Sequence, residues 1–300
     1  MSSPSNIVYV DLNRPILESH TTDDLNDLKV TVLPDDDDSL TFNSDQDNSV
    51  ETLQETPIAN VNFTRKGRAT SMSKKVERAD EFVVSGPTGQ FLGRLEKKPK
   101  GSIVITVDAA AGAGKTTAMF KWLNDFAAAG HRGLFASLEE EPHSNLFQDK
   151  KDKYLNSHTI KMVDTIGEFK SYKDFANEIK DYDFIITDSW QKLQEMIGKT
   201  NLDNDIRKKF DGKVFIFVFQ RTSDGKMRGG SANEFDGDII IKGEKGNNFN
   251  ENKLYHYKNR YTIVDINDIA YNIAFHGVYN PNDLESLDNL NTDELQVVYI

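Results

Sequence analysis

The stretch Asp108-Ala109-Ala110-Ala111-Gly112-Ala113-Gly114-Lys115-Thr116-Thr117 links a β-branched run, 102–107, to a segment with helical spacing. Small residues let a backbone curl so that successive N–H groups converge on an anion. A helix opening at the end of such a curl adds the positive end of its dipole. Lys115 then reaches the outer phosphates of a nucleotide, and the Thr116 hydroxyl is a ligand for magnesium. The predicted nucleotide-binding residues are Ala109, Ala110, Ala111, Gly112, Ala113, Gly114, Lys115, Thr116 and Thr117. The ligands they imply are ATP and Mg2+. The usual spacing is G-x-x-x-x-G-K-[ST], and Ala109 stands where its first glycine would be. That glycine mainly serves the strand-to-loop turn, so the cradle itself rests on Gly112, Gly114 and Lys115. The plain alternative is a Gly/Ala-rich helix start that binds nothing, and the strand before and helix after argue against it.

Two carboxylates complete the chemistry. Asp188 ends the apolar run 184–187, at the strand end where ligands sit in open α/β sheets. With Thr116 it is the expected magnesium partner. Glu139 follows a second strand, in Ser137-Leu138-Glu139-Glu140-Glu141-Pro142. A carboxylate there can deprotonate an attacking water. Glu140 is an alternative, because acids also suit the start of a helix before Pro142.

The elements that must hold these residues alternate. Strands are predicted at 102–107, Gly133–Ser137, 159–163, 184–187 and 214–219. Between them lie helices at 115–129, where Met119, Trp122, Leu123 and Phe126 share a face, then after Pro142 with Leu146 and Phe147 as core candidates. Further helices are predicted at 172–179, Trp190–Ile197 and 206–210. Repeated strand–helix units imply a mostly parallel sheet covered on both faces. After Phe219 the pattern turns to strands alone, at 239–242, 253–258 and 270–275. The fold class is therefore α/β: a parallel central sheet flanked by helices, with added antiparallel C-terminal strands.

Charge divides the chain. The sequence has 300 residues and a net charge of −12. Most of the excess lies in residues 1–60, where the run Asp35 to Asp38 is opposed only by Arg14 and Lys29 across the whole segment. Such a stretch buries too little surface to offset its ordering entropy, so it is expected to be a largely disordered acidic extension. It reads as a solubilising tail or, through the β-prone islands 7–10 and 30–33, as a site for a protein partner. Residues 61–84 form a basic linker, 85–278 the globular domain, and 279–300 a weakly ordered acidic tail. Cysteine is absent, which fits a cytoplasmic setting. No apolar run approaches the roughly 20 residues of a membrane helix, and no signal-peptide pattern opens the chain, so no membrane partner is expected.

Across residues 85–278 the motifs together resemble the RecA-like superfamily, in particular RadA/Sms-type recombination ATPases and the replicative-helicase motor domain. Ser137-Leu138-Glu139 is similar to the motif that carries the catalytic glutamate there. Gln220, at the end of the 214–219 strand, occupies the place of a γ-phosphate sensor. The segment Asp224-Gly225-Lys226-Met227-Arg228-Gly229-Gly230-Ser231 is similar to their mobile DNA-facing loop, and Lys258-Asn259-Arg260-Tyr261 to a KNRF-type motif. The resemblance implies that Lys258 and Arg260 reach a neighbour's nucleotide across a subunit interface, in a hexameric ring or filament. It does not extend to a four-cysteine zinc module, since the chain has no cysteine.

The function this implies is an ATP-hydrolysing motor or filament acting on DNA, most simply single-stranded, in recombination, repair or replication. Glu139, Lys115, Gln220, Lys258 and Arg260 would serve catalysis, and Arg221, Lys226 and Arg228 would contact DNA. The compact core with its acidic extension suits a phage or mobile element. A second reading is a nucleotide-dependent switch or loading factor that binds a protein, because the acidic extension repels DNA. A small-molecule kinase fits less well, for want of an arginine-rich acceptor lid.

Overall fold

The computed structural model describes Met72, residues 74–221 and residues 236–283. The chain divides into two units, Met1–Lys75 with Thr292–Ile300, and Val76–Asn291; every element below belongs to the second. The acidic extension 1–60, the first part of the basic linker, the DNA-loop residues Lys226 and Arg228, and the tail beyond 283 lie outside the described residues.

The chain forms α1 (Gly86–Leu92), β1 (Ile103–Ala109), α2 (Lys115–Ala128), β2 (Gly133–Ser137), α3 (Asn145–Tyr154), β3 (Val163–Ile166) and α4 (Tyr172–Glu178). It continues with β4 (Phe184–Asp188), α5 (Trp190–Ile197), β5 (Val214–Gln220), β6 (Ile239–Glu244), β7 (Lys253–Asn259), β8 (Ala270–Asn272) and β9 (Gly277–Tyr279). Among the described residues, nine strands make one sheet in the order β3-β2-β4-β5-β1-β6-β7-β8-β9. β3 through β6 pair in parallel. β7, β8 and β9 close the other edge antiparallel. The expected α/β class with antiparallel C-terminal strands is what the chain adopts.

β5 shows why the centre is parallel and covered. Val214, Ile216 and Val218 point into one core with α1, α2 and α3. Phe215, Phe217 and Phe219 point into the other, with Phe175 of α4, Trp190 and Leu193 of α5, and Leu202 and Ile206. Successive side chains alternate between faces, so a continuous apolar run is what a strand buried on both faces requires. Helix α2 contributes Met119, Trp122, Leu123 and Phe126 to the first core, as its spacing predicts.

Several expectations are corrected. Leu146 is 60% exposed while Phe147 is buried. The Ser144 hydroxyl accepts from the Phe147 N–H, which sets the start of α3 and turns Leu146 outward. Residues 159–162 form a 3₁₀ turn, and the strand is Val163–Ile166 instead. Asn156 and Thr159 hydrogen-bond each other's backbone N–H, which competes with strand pairing there. The helix expected at 206–210 is a π-helix at Leu202–Arg207, capped by Asn201 accepting from Asp203 and Asn204. The strand expected at 270–275 stops at Asn272 and returns as β9, after a turn with His276 at φ +53°. Helix α1 had no counterpart in the sequence reading. The packed body also reaches back into the basic stretch, since Phe82 is buried against Phe126 and stacks on His131.

His256 on β7 is buried and stacked on Phe91 with ring centroids 4.1 Å apart. Burial pushes its pKa down from 6.5 to about 4. The folded chain therefore keeps it neutral where the unfolded chain would protonate it. Its contribution is intact above pH 6.5 and is lost as the pH falls through 4, in total about 3 kcal/mol. Urea unfolding of wild type and His256→Gln at about pH 7.5 and about pH 4.5 tests this. The variant is expected to lose less stability between the two; an equal loss would remove His256 as the cause.

Candidate functional site

The C-terminal ends of β1, β5, β4 and β2 lie side by side. Ala109 pairs with Gln220, Val218 with Asp188, and Asp188 with Ser137. The parallel register thus carries the loop after β1, Asp188, Glu139 and Gln220 to one edge of the sheet. The Leu138 N–H donates to the Asp188 carbonyl at 2.8 Å and continues this alignment past the end of β2.

The loop curls as its composition requires. Gly112 and Gly114 have φ of +77° and +91°, a region that side chains avoid. A Cβ on Gly114 would also lie 3.0 Å from Phe249 and 3.2 Å from Ile273. Ala109 behaves differently from a loop glycine: it is the last, fully buried residue of β1. The room for its methyl comes from β6, where a Cβ on Gly243 would lie 2.3 Å from the Ala109 Cβ. The glycine missing from the loop has a partner across the sheet.

Lys115 opens α2 and turns back over the loop. Its Nζ donates to the carbonyls of Ala109 at 2.6 Å and Ala110 at 3.0 Å. Burial lowers its pKa, against the opposing pull of Asp188, Asp108 and Glu139. A partly desolvated ammonium whose hydrogen bonds, among the described residues, go to carbonyls is suited to an anion. The next residue, Thr116, donates its hydroxyl to Asp188 Oδ2 at 2.8 Å. Asp188 is buried, which raises its pKa to about 6, while the Thr116 hydrogen bond, Lys115 and Lys150 pull the other way. A carboxylate and a hydroxyl brought together at a desolvated point form an all-oxygen donor pair that suits a hard cation such as Mg2+.

Glu139 and Glu140 have different partners. Lys150 of α3 pairs with Glu140 Oε2 at 2.6 Å, and the Glu140 carbonyl accepts from the Ser137 hydroxyl. Glu140 is therefore anchored to the protein. Glu139 is exposed to the cleft, and its Oε1 accepts from Gln220 Nε2 at 2.5 Å. The cleft has a volume of about 520 Å3 and is walled by the loop with Lys115, Glu139, Lys150, Asp188, Gln220 and Arg221.

Three side chains lie away from where their expected roles suggest. Arg221, expected at a DNA surface, is a wall of the cleft, its Nε 2.9 Å from Asp108 Oδ2. Lys258 and Arg260 are at the opposite end of the sheet. Ile239 pairs with both Ile105 and Asn259, four residues before Ala109, or roughly 13 Å along β1. Lys258 Nζ donates to the Gly237 carbonyl at 2.7 Å, and Arg260 Nη1 to Asp238 Oδ1 at 3.1 Å. Neither reaches the cleft of its own chain.

Sequence reading missed Lys150, whose helix carries no motif, and Gly243, whose role depends on the residue across the sheet. It also missed Asp108 as a partner. An acid inside an otherwise apolar strand was a usable signal, because a buried charge requires a counter-charge.

No family model matches the chain, and no curated protein sequence matches it. Among solved structures it is similar to the flagellar accessory protein FlaH from Methanocaldococcus jannaschii, with 14% identity, 58% of this chain and 86% of that one covered, and a TM-score of 0.44. It is also similar to a KaiC-like protein from Pyrococcus horikoshii OT3, with 17% identity, 68% and 98% covered, and a TM-score of 0.47.

The Ala109–Gly243 contact predicts a cycle. Gly243→Ala should cost about 1–3 kcal/mol through overpacking, and adding Ala109→Gly should restore most of it. Thermal unfolding of the two single variants and the double variant measures this. Additive losses would show that the two positions do not share the space.

Proposed function

We propose that the chain binds ATP with Mg2+ in this cleft and hydrolyses it, as a RecA-like motor or filament protein that acts on DNA. The observation that carries the nucleotide part is the Thr116–Asp188 hydrogen bond beside Lys115, with Glu139 held apart from them by Gln220. The loop N–H groups and Lys115 bind the outer phosphates. Thr116 and Asp188 hold the magnesium, which neutralises phosphate charge when bound. Glu139 accepts the proton of the attacking water, and its exposure to the cleft leaves an oxygen for that task. Gln220, hydrogen-bonded to Glu139 and at the end of β5, links the state of that water to the chain that follows.

Self-association supplies what one chain lacks. Lys258 and Arg260 lie too far from their own cleft, and Arg260 is 61% exposed. A head-to-tail neighbour would bring them to the nucleotide, where a guanidinium stabilises transition-state charge. The DNA contact then rests on Lys226 and Arg228. The second reading, a nucleotide-dependent switch that loads a protein partner, is favoured by the acidic segment 1–60, whose charge repels DNA.

Binding, turnover, DNA stimulation and subunit mixing test this. Lys115→Ala should weaken Mg-ATP binding by about 100-fold, and Glu139→Gln should keep binding but slow turnover by about 10²–10⁴-fold. Substantial turnover in either variant would sink the hydrolytic site. Single-stranded DNA should stimulate the full chain, and Lys226→Ala with Arg228→Ala should remove the stimulation. Arg260→Ala mixed with Lys115→Ala should recover part of the lost activity if the residues act between subunits. A chain indifferent to DNA would favour the protein-partner reading.

A further inference from the structure

Asp108 is an acid within β1 and is 3% exposed. Oδ2 accepts from Arg221 Nε at 2.9 Å, while the buried Oδ1 has no hydrogen-bond partner among the described residues. Arg221 Nη2 also approaches the Asp108 carbonyl at 3.5 Å. As a device for stability this is a poor choice. An apolar pair would fill the same space without desolvating two charges, and an incompletely satisfied carboxylate is costlier still. As a device for position it is effective: it pins one edge of a planar, multi-donor cation at the wall of the cleft.

The neighbours of Arg221 define what the other edge meets. It directly follows Gln220, whose amide contacts Glu139. It lines the same cleft as Lys115, and its charge adds a little to the depression of that ammonium's pKa. An anion placed between them would relieve that repulsion. Glu139 marks the side from which water attacks, and the last phosphate of the nucleotide lies on that side.

We propose that Arg221 is a ligand of the terminal phosphate, positioned by Asp108, and that it makes the cleft discriminate nucleoside triphosphate from diphosphate. The proposal rests on the nucleotide reading of the cleft. The Arg221 Nε–H is committed to Asp108 Oδ2 and Nη2 lies 3.5 Å from the Asp108 carbonyl, while the guanidinium belongs to a residue that walls the cleft. Guanidinium and phosphate match as planar fork and oxygen pair, which a lysine does not reproduce.

The test is equilibrium binding of fluorescent ATP and ADP analogues, each with Mg2+, to the full chain. Removing Arg221 alone strands a buried carboxylate, so the informative variant pairs Arg221→Gln with Asp108→Asn, which neutralises both. Arg221→Lys keeps the charge and loses the fork. The double variant is expected to lose about 10–100-fold in affinity for the triphosphate with little change for the diphosphate. Arg221→Lys should show an intermediate loss. If both variants keep the wild-type ratio while Lys115→Ala loses both nucleotides, the inference falls and the nucleotide site stands. A loss of DNA affinity with that ratio unchanged would likewise return Arg221 to the DNA surface. If wild type binds neither nucleotide, the reading of the cleft falls and the inference with it.

Discussion

Everything at the cleft depends on the parallel register of β1 between β5 and β6, and of β5 against β4. β5 is packed on both faces, so slipping it by one residue would exchange Val214, Ile216 and Val218 with Phe215, Phe217 and Phe219 between two cores of different shape. That penalty fixes which strand ends stand level. Ala109 is opposite Gln220, and Asp188 is two residues back along β5, opposite Val218. The loop that follows Ala109 then has no choice but to curl in front of Asp188, and Thr116 meets it at 2.8 Å.

Within that frame the polar groups divide into those that are anchored and those that are available. Glu140 is tied to Lys150 and Ser137; Asp108 is tied to Arg221. Among the described residues, the hydrogen bonds of the Lys115 ammonium go to carbonyls and that of the Glu139 carboxylate to the Gln220 amide. Burial amplifies the difference, because it disfavours the charged forms of both Lys115 and Asp188 until an opposite charge arrives. A phosphate beside the first and a cation beside the second would meet both needs in one ligand.

The far end of the sheet is organised around a different carboxylate. Asp238 is buried and gathers the Val104 N–H, Arg207, Lys98 and Arg260. Lys98 belongs to a basic stretch that reads as solvated surface, yet one of its charges is a structural counter-ion. Arg260 is the exposed member of the group. The two ends of the sheet therefore gather their charges around different carboxylates, Asp188 and Asp108 at the cleft and Asp238 at the far end.

The sequence by itself determined the α/β class, most of the alternating strands and helices, and the Gly/Ala-rich loop between β1 and α2, and it singled out Lys115, Thr116, Asp188 and Glu139, which the fold brings to one edge of the sheet. These are legible because strand and helix periodicity and the needs of a backbone anion cradle are local. Elements governed by side-chain capping were less legible: Ser144, Thr159 and Asn201 shifted the starts of their segments by hydrogen bonds that periodicity does not contain. Only the tertiary structure decided the partnerships. It put Gly243 opposite Ala109, Lys150 on Glu140, Arg221 on Asp108 and Arg260 on Asp238, over separations of up to 134 residues for Val104 and Asp238. Such contacts depend on which strands become neighbours, and that follows from burying both faces of the sheet at once, a condition no single stretch of sequence expresses.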